Sequence, residues 1–187
     1  MHGLAPIKMS IMNESERQQI LDSLGKGSTA LFEALQDVSA KSAVRIPGPG
    51  RWSILQCVEH VAVSEDHLFS MIIESRRTAP VINGQREAWI VANGADRSRR
   101  TESPADCQPT GRFATIQEAV SHFQASRVRT IRFVLSNNED LRSRIASHPI
   151  VGTVNCLEVL LLMAVHPQRH ARQIVEIASE SAGGLLT

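Results

Sequence analysis

The segment TVNCLEVLLLMAVHPQRHARQIVEIASES, Thr153 to Ser181, decides how this chain is read. Turned at 100° per residue, it places Val159, Leu162, Met163, His166, His170, Gln173, Ile174 and Ile177 on one face. Pro149 and Gly152 break the chain before it and Gly183-Gly184 close it, so the segment predicts one long amphipathic helix. His166 and His170 are one turn apart on its apolar stripe, with about 5–6 Å between Cβ atoms. Each buried imidazole without a partner costs about 1–3 kcal/mol. A shared metal ion satisfies both at once. Pro167, between them, removes the hydrogen bond to the Met163 carbonyl and bends the helix.

Working outward, three more helical patterns appear. The first runs from about Ser15 to Val38, with Ile20, Leu24, Leu31, Leu35 and Val38 at helical spacing. Gly25 and Gly27 weaken it by about 1 kcal/mol each, which predicts a kink or a close helix contact. The loop Arg45-Ile-Pro-Gly-Pro-Gly-Arg51 ends it. A capping box at Ser53 and Gln56 opens the second helix, whose face of Ile54, Val58, Val61, Leu68, Phe69 and Ile72 continues to about Arg76. A second box, Thr115 to Glu118, opens the third, with Ile116, Val120, Phe123, Ile131, Val134 and Leu135. A short linking helix is expected over about Glu139 to Ala146.

Between the second and third helices, Thr78 to Ala114 holds Asn83-Gly84, Asn93-Gly94, Pro80, Pro104, Pro109 and a basic cluster at Arg97, Arg99 and Arg100. A connection of about forty residues is long for a compact domain and reads as functional or partly disordered. Trp89 is the expected anchor of its middle, and the arginines read as a solvated face rather than an anion site. No strand-like alternation stands out. The pattern predicts an all-α, four-helix bundle with a long connection between the second and third helices. One domain over 1–187, with a core of about 15–181, is expected.

Composition excludes several function classes. Twenty basic against nineteen acidic residues leave a net charge of +1, so no bulk field recruits nucleic acid or anionic lipid. Aromatic residues make up 4% of the chain and Tyr is absent, which argues against stacking platforms for single strands. Three cysteines, Cys57, Cys107 and Cys156, form neither a disulfide framework nor a cysteine-rich zinc module. The first residues lack the apolar core of a signal peptide, and Val159 to Val165 is too short to span a bilayer. A soluble cytoplasmic domain is the expectation.

An open metal site takes a third ligand from elsewhere. His60, on the second helix, is the candidate, in a lane with Gln56, Cys57, Ser64, His67 and Met71. His67, two turns on, is a fourth ligand, a substrate-positioning base or a plain core histidine. Gln56 and Gln173 flank the candidate site as supports or substrate contacts, or as core-edge polar residues. Cys57 reads as buried and inert. Glu59 points about 100° away from His60 and reads as a solvated or capping charge. Trp52 reads as a packing anchor over the helix start. His2, His122 and His148 are left as surface or core residues, and Met9, Met12 and Met71 show no cofactor box.

Arg51-Trp-Ser-Ile-Leu-Gln-Cys-Val-Glu-His60 resembles the W-S-x-x-x-x-x-x-H stretch that opens the second helix of DinB/YfiT-like proteins. His166-Pro-Gln-Arg-His170 resembles their C-terminal H-x-x-x-H. The pair of motifs, 106 positions apart, is more specific than either alone, and the resemblance spans about Ser15 to Ser181. It implies a four-helix bundle that often dimerises, with His60, His166 and His170 holding one divalent metal, nickel or zinc. It also implies a small-molecule substrate: members with a known activity are often thiol S-transferases or isomerases that use bacillithiol, mycothiol or glutathione. The Thr78–Ala114 connection is longer than the family's usual one.

Three neutral imidazoles leave a bound ion its full charge and at least one open position. Pro167 stands where a zincin protease motif carries its catalytic Glu, which disfavours peptide hydrolysis by that route. Two function classes follow: a metal-dependent thiol transferase, isomerase or small hydrolase, and a non-catalytic, stress-related helical metal- or ligand-binding module.

Overall fold

The computed structural model describes residues 12–98 and 101–183. The expectations for His2, Met9, Arg99, Arg100 and Gly184 fall outside the described residues. Each long helix begins where a side chain satisfies the free N–H groups of its first turn. Helix α1 (Glu14–Leu35) is capped by Asn13, whose Oδ1 accepts from Glu16 N at 2.9 Å. It is followed by a single turn, α2 (Ala40–Ala43). In α3 (Ile54–Ile73) the expected box forms in both directions: Gln56 N donates to Ser53 Oγ at 3.2 Å, and Ser53 N to Gln56 Oε1 at 2.9 Å. A short helix, α4 (Gly84–Asn93), lies in the crossover. Thr115 caps α5 (Ile116–Ser136). Asn155 and Glu158 form a buried reciprocal pair of bonds, 2.8 and 3.0 Å, at the start of α6 (Cys156–Gly183).

Helix α6 packs against α1 and α3, and α5 packs against α3 and α1, which closes a four-helix bundle. The long connection between its second and third helices is as expected.

Two features differ from the sequence-based expectation. Residues 139–146 do not form a linking helix: a 3-10 turn at Leu141–Ser143 leads into a strand. That strand, β2 (Arg144–His148), lies between β1 (Arg76–Arg77) and β3 (Gly152–Asn155) in a small antiparallel sheet. Arg76 pairs with Ile145, and Ala146 with Val154. Strands of two to five residues are too short for alternation to register, and β3 read as the first turn of the last helix. The second difference is the anchor of the crossover. Trp89 is 60% exposed, whereas Ile90 is buried and holds α4 to the bundle.

The core has two apolar clusters. One gathers Ile20, Leu24, Leu68, Val134, Leu160 and Met163; the other gathers Leu31, Val58, Val61, Phe123, Ile174 and Ile177. On every bundle helix a polar residue or a glycine lies between them: Gly27 on α1, Glu65 on α3, Arg127 and Thr130 on α5, His166 and His170 on α6. Chemistry-bearing residues therefore share one level of the bundle. No helix among the described residues is long and apolar enough to cross a membrane.

Candidate metal centre

Helix α6 presents His166 and His170 one turn apart, and α3 presents His60 opposite them. His60 Nε2 lies 3.1 Å from His166 Nε2, and His170 Nε2 also lies 3.1 Å from His166 Nε2. All three ligand atoms fall within 4.8 Å of one another. His60 and His170 are buried, while His166 keeps some surface. Burial pushes His60 below the ordinary imidazole value, and it pushes His166 and His170 well below. The mutual repulsion of protonated rings adds to this for His166 and His170. All three rings are therefore neutral at pH 7.

The outer nitrogens fix which inner nitrogens are free. His60 Nδ1 lies 2.8 Å from the Cys107 carbonyl, which only accepts, so Nδ1 carries the proton and Nε2 a lone pair. His170 Nδ1 lies 3.0 Å from Gln173 Oε1. That oxygen also accepts from Arg97 Nη1 at 3.0 Å, and an arginine can only donate, so His170 too holds its proton on Nδ1. Two lone pairs thus face His166 Nε2, which has at most one proton to offer. One of the two 3.1 Å contacts is left without a hydrogen. A cation at the common point resolves the conflict. The spacing suits one, because the edge of a tetrahedral site with bonds of about 2.0–2.1 Å is about 3.3 Å. The donor set fits a divalent metal.

Residues 24–174 match the model of the DinB superfamily. The chain belongs to the DinB superfamily. Among solved structures it is similar to YfiT from Bacillus subtilis, described as a probable metal-dependent hydrolase with an unusual four-helix bundle topology. The two superpose with a TM-score of 0.59 at 15% identity, over 97% of this chain and 95% of that one. At that identity the likeness is one of fold. No curated protein matches the chain in sequence.

In this DinB-superfamily chain the long crossover builds much of the surroundings of the histidines. Cys107 supplies its carbonyl to His60, and Ser103 Oγ lies 3.3 Å from the same Nδ1. Arg97 is not a solvated charge. It bonds Gln173 and grips the Glu176 carboxylate through Nε and Nη2 at 2.9–3.1 Å. Glu59 is not solvated either, at 1% exposure. Its carboxylate accepts from the backbone N–H groups of Thr110, Gly111 and Arg112 at 2.7–3.1 Å, where Gly111 takes φ +79°. That clamp pins the far end of the crossover beside His60.

Trp52 does more than pack over a helix start. Its ring centroid lies 4.8 Å from that of His60 and 6.3 Å from that of His170, so the indole walls the cluster. Gln56 turns its amide oxygen back to the cap of α3. Gln173 touches His170 directly. His67 stands two turns along α3, partly buried and outside the three-histidine cluster. Cys57 is buried, and burial pushes its thiol up to about 12, so it is no thiolate ligand at neutral pH. Sequence reasoning missed Arg97, Ser103 and the Cys107 carbonyl. A main-chain carbonyl has no side-chain signature, and a loop arginine gives no hint of its partner.

Proposed function

We propose that the chain is a metal-dependent enzyme that acts on a small molecule, with His60, His166 and His170 holding one divalent ion, nickel or zinc, through Nε2. The observation that carries this reading is the meeting of three Nε2 atoms while the Nδ1 atoms of two rings are tied up by acceptors. An ion held there supplies Lewis acidity and a +2 charge beside which a thiol or water gives up its proton near neutral pH. The protein's own part is orientation and shielding. Cys107 and Gln173 aim two imidazoles, Trp52 keeps one side dry, and the partly exposed His166 marks the side from which a small molecule approaches.

The reaction we infer is of the thiol S-transferase, isomerase or hydrolase type, with a low-molecular-weight thiol as the leading co-substrate. YfiT's description as a probable metal-dependent hydrolase supports the same class. Gln173 is the supporting contact to His170, and we assign Gln56 and His67 no more than a place along the approach lane. We further propose one domain with its core over about 15–181, a homodimer, a cytoplasmic setting and no nucleic-acid partner.

One feature favours a second reading, a non-catalytic metal- or ligand-binding module. It concerns two of the concavities on the surface of the described residues. One, about 620 Å³, is lined by Phe113, Gln117, Glu118, Ser121 and His122. The other, about 290 Å³, is lined by residues including Met71, Ile145, Ser147 and Thr153. Neither includes a histidine of the cluster.

The test is elemental analysis of the purified protein and of His60→Ala, followed by a thiol-dependent conjugation screen. Bound metal and turnover, both lost in the variant, support the enzyme. Bound metal with no turnover supports the module.

A further inference from the structure

Pro167 stands inside α6, between two of the histidines. It has no N–H, so the carbonyl of Met163, four residues earlier, lacks its helical donor. That carbonyl is not left empty. Arg127, on α5, reaches across the bundle and donates through Nη2 to Met163 O at 2.9 Å. The same nitrogen donates to Glu65 Oε2 at 2.9 Å, and Thr130 Oγ1 donates to Glu65 Oε1 at 3.0 Å. Arg127, Glu65 and Thr130 are 3%, 2% and 0% exposed.

Stability alone does not account for this arrangement. A buried ion pair is often no better than an apolar pair of the same volume. Arg127 lies over the Phe123 ring, 5.0 Å from its centroid, but leaves Nε and Nη1 without hydrogen-bond partners, an added cost in a site sealed from water. What the guanidinium supplies, and an apolar side chain does not, is a donor at the break in α6.

We propose that Arg127 is a positioning residue of the metal centre: it replaces the hydrogen bond that Pro167 withholds, and so fixes the course of α6 at the proline, which aims His166 and His170 at His60. Glu65, itself held by Thr130, keeps the guanidinium in place. The proposal rests on the reading that the three histidines bind a metal. In that setting Arg127 never touches the ion. It acts through the backbone of the helix that carries two of the ligands.

The test is a double-mutant cycle read by Co²⁺ alone, through its dissociation constant and its visible absorption bands. Arg127→Met by itself would strand the Glu65 carboxylate, so it is paired with Glu65→Gln, and circular dichroism checks that the fold is kept. In the wild-type background the paired change is expected to weaken Co²⁺ binding about tenfold, the low end of the loss seen when a metal ligand's support is removed. The absorption bands should shift as well. With Pro167→Ala already present, Met163 regains a backbone donor, and the same paired change should cost little.

An equal loss in both backgrounds would overturn the proposal, because Arg127 would then act by packing alone. Unchanged affinity in the wild-type background would overturn it too. Wild-type protein that binds no Co²⁺, or binds it as well after His60→Ala, would instead sink the three-histidine reading beneath it.

Discussion

A neutral imidazole offers a metal only the nitrogen that carries no proton, and for His170 the group that sets this is Gln173. Its oxygen is held by Arg97, which in turn is held by Glu176, so the chain of bonds leaves the amide one useful orientation. Gln173→Ala frees His170 to carry its proton on either nitrogen and removes the bond that orients the ring. Zn²⁺ affinity, measured by competition with a coloured chelator, is expected to fall about tenfold. Unchanged affinity would mean that packing alone aims the ring. His60 needs no such side chain, because its acceptor is a backbone carbonyl that no substitution of Cys107 removes. The residue scale thus divides the supports into those open to mutation and those written into the path of the chain.

At the scale of elements, the proline in α6 has a counterpart in α1. A Cβ built on Gly27 would lie 2.4 Å from the Ala164 carbonyl oxygen and 3.7 Å from Cδ of Pro167. The two helices therefore meet closely beside Pro167, and only a residue without a side chain fits there. Gly25, two positions earlier, has nothing within 4 Å of such an atom. The two glycines, alike in sequence, are predicted to respond with opposite signs. Gly25→Ala should raise stability by about 0.5–1 kcal/mol through helix propensity. Gly27→Ala should lower it by about 1–3 kcal/mol, because backbone rather than a flexible side chain must yield. Thermal unfolding of the two variants checks the pair.

At the scale of the molecule, three neutral histidines, two of them buried and one partly so, couple stability to pH. Their values in the folded protein lie below the ordinary 6.5. Above pH 6.5 the folded and unfolded chains both keep these rings neutral, and no penalty arises. Below 6.5 the unfolded chain takes up protons that the folded chain refuses, so metal-free protein loses stability as the pH falls from 6.5 toward the folded values. Zn²⁺ at about 100 times its dissociation constant should add about 2.7 kcal/mol near pH 7.5. That increment should shrink in acid as protons compete for the ligands. Urea unfolding between pH 7.5 and 5, with and without Zn²⁺, measures both effects. A metal-free stability that stays flat across this window would contradict the burial of the rings.

The four long helices were legible because each has an apolar face long enough to repeat, and because α3 begins at a box formed by Ser53 and Gln56. At α5 only half of the expected box forms, since Thr115 caps Glu118 N while the Glu118 carboxylate accepts from Ala114 N instead. The pairing of His166 with His170 was legible for the same reason, since helical geometry places them together whatever surrounds them. The small sheet was not, because strands of two to five residues acquire their identity from partners far along the chain. Nor were the roles of Arg97, Glu59 and the Cys107 carbonyl, which depend on where a loop without periodicity comes to rest. The same holds for Arg127: a sequence marks the missing donor at Pro167, but which residue fills the gap is settled by how α1 and α3 hold α5 across the bundle from α6. Local spacing dictates what lies along one element. What faces it across the bundle follows from long-range packing, which no short window of sequence contains.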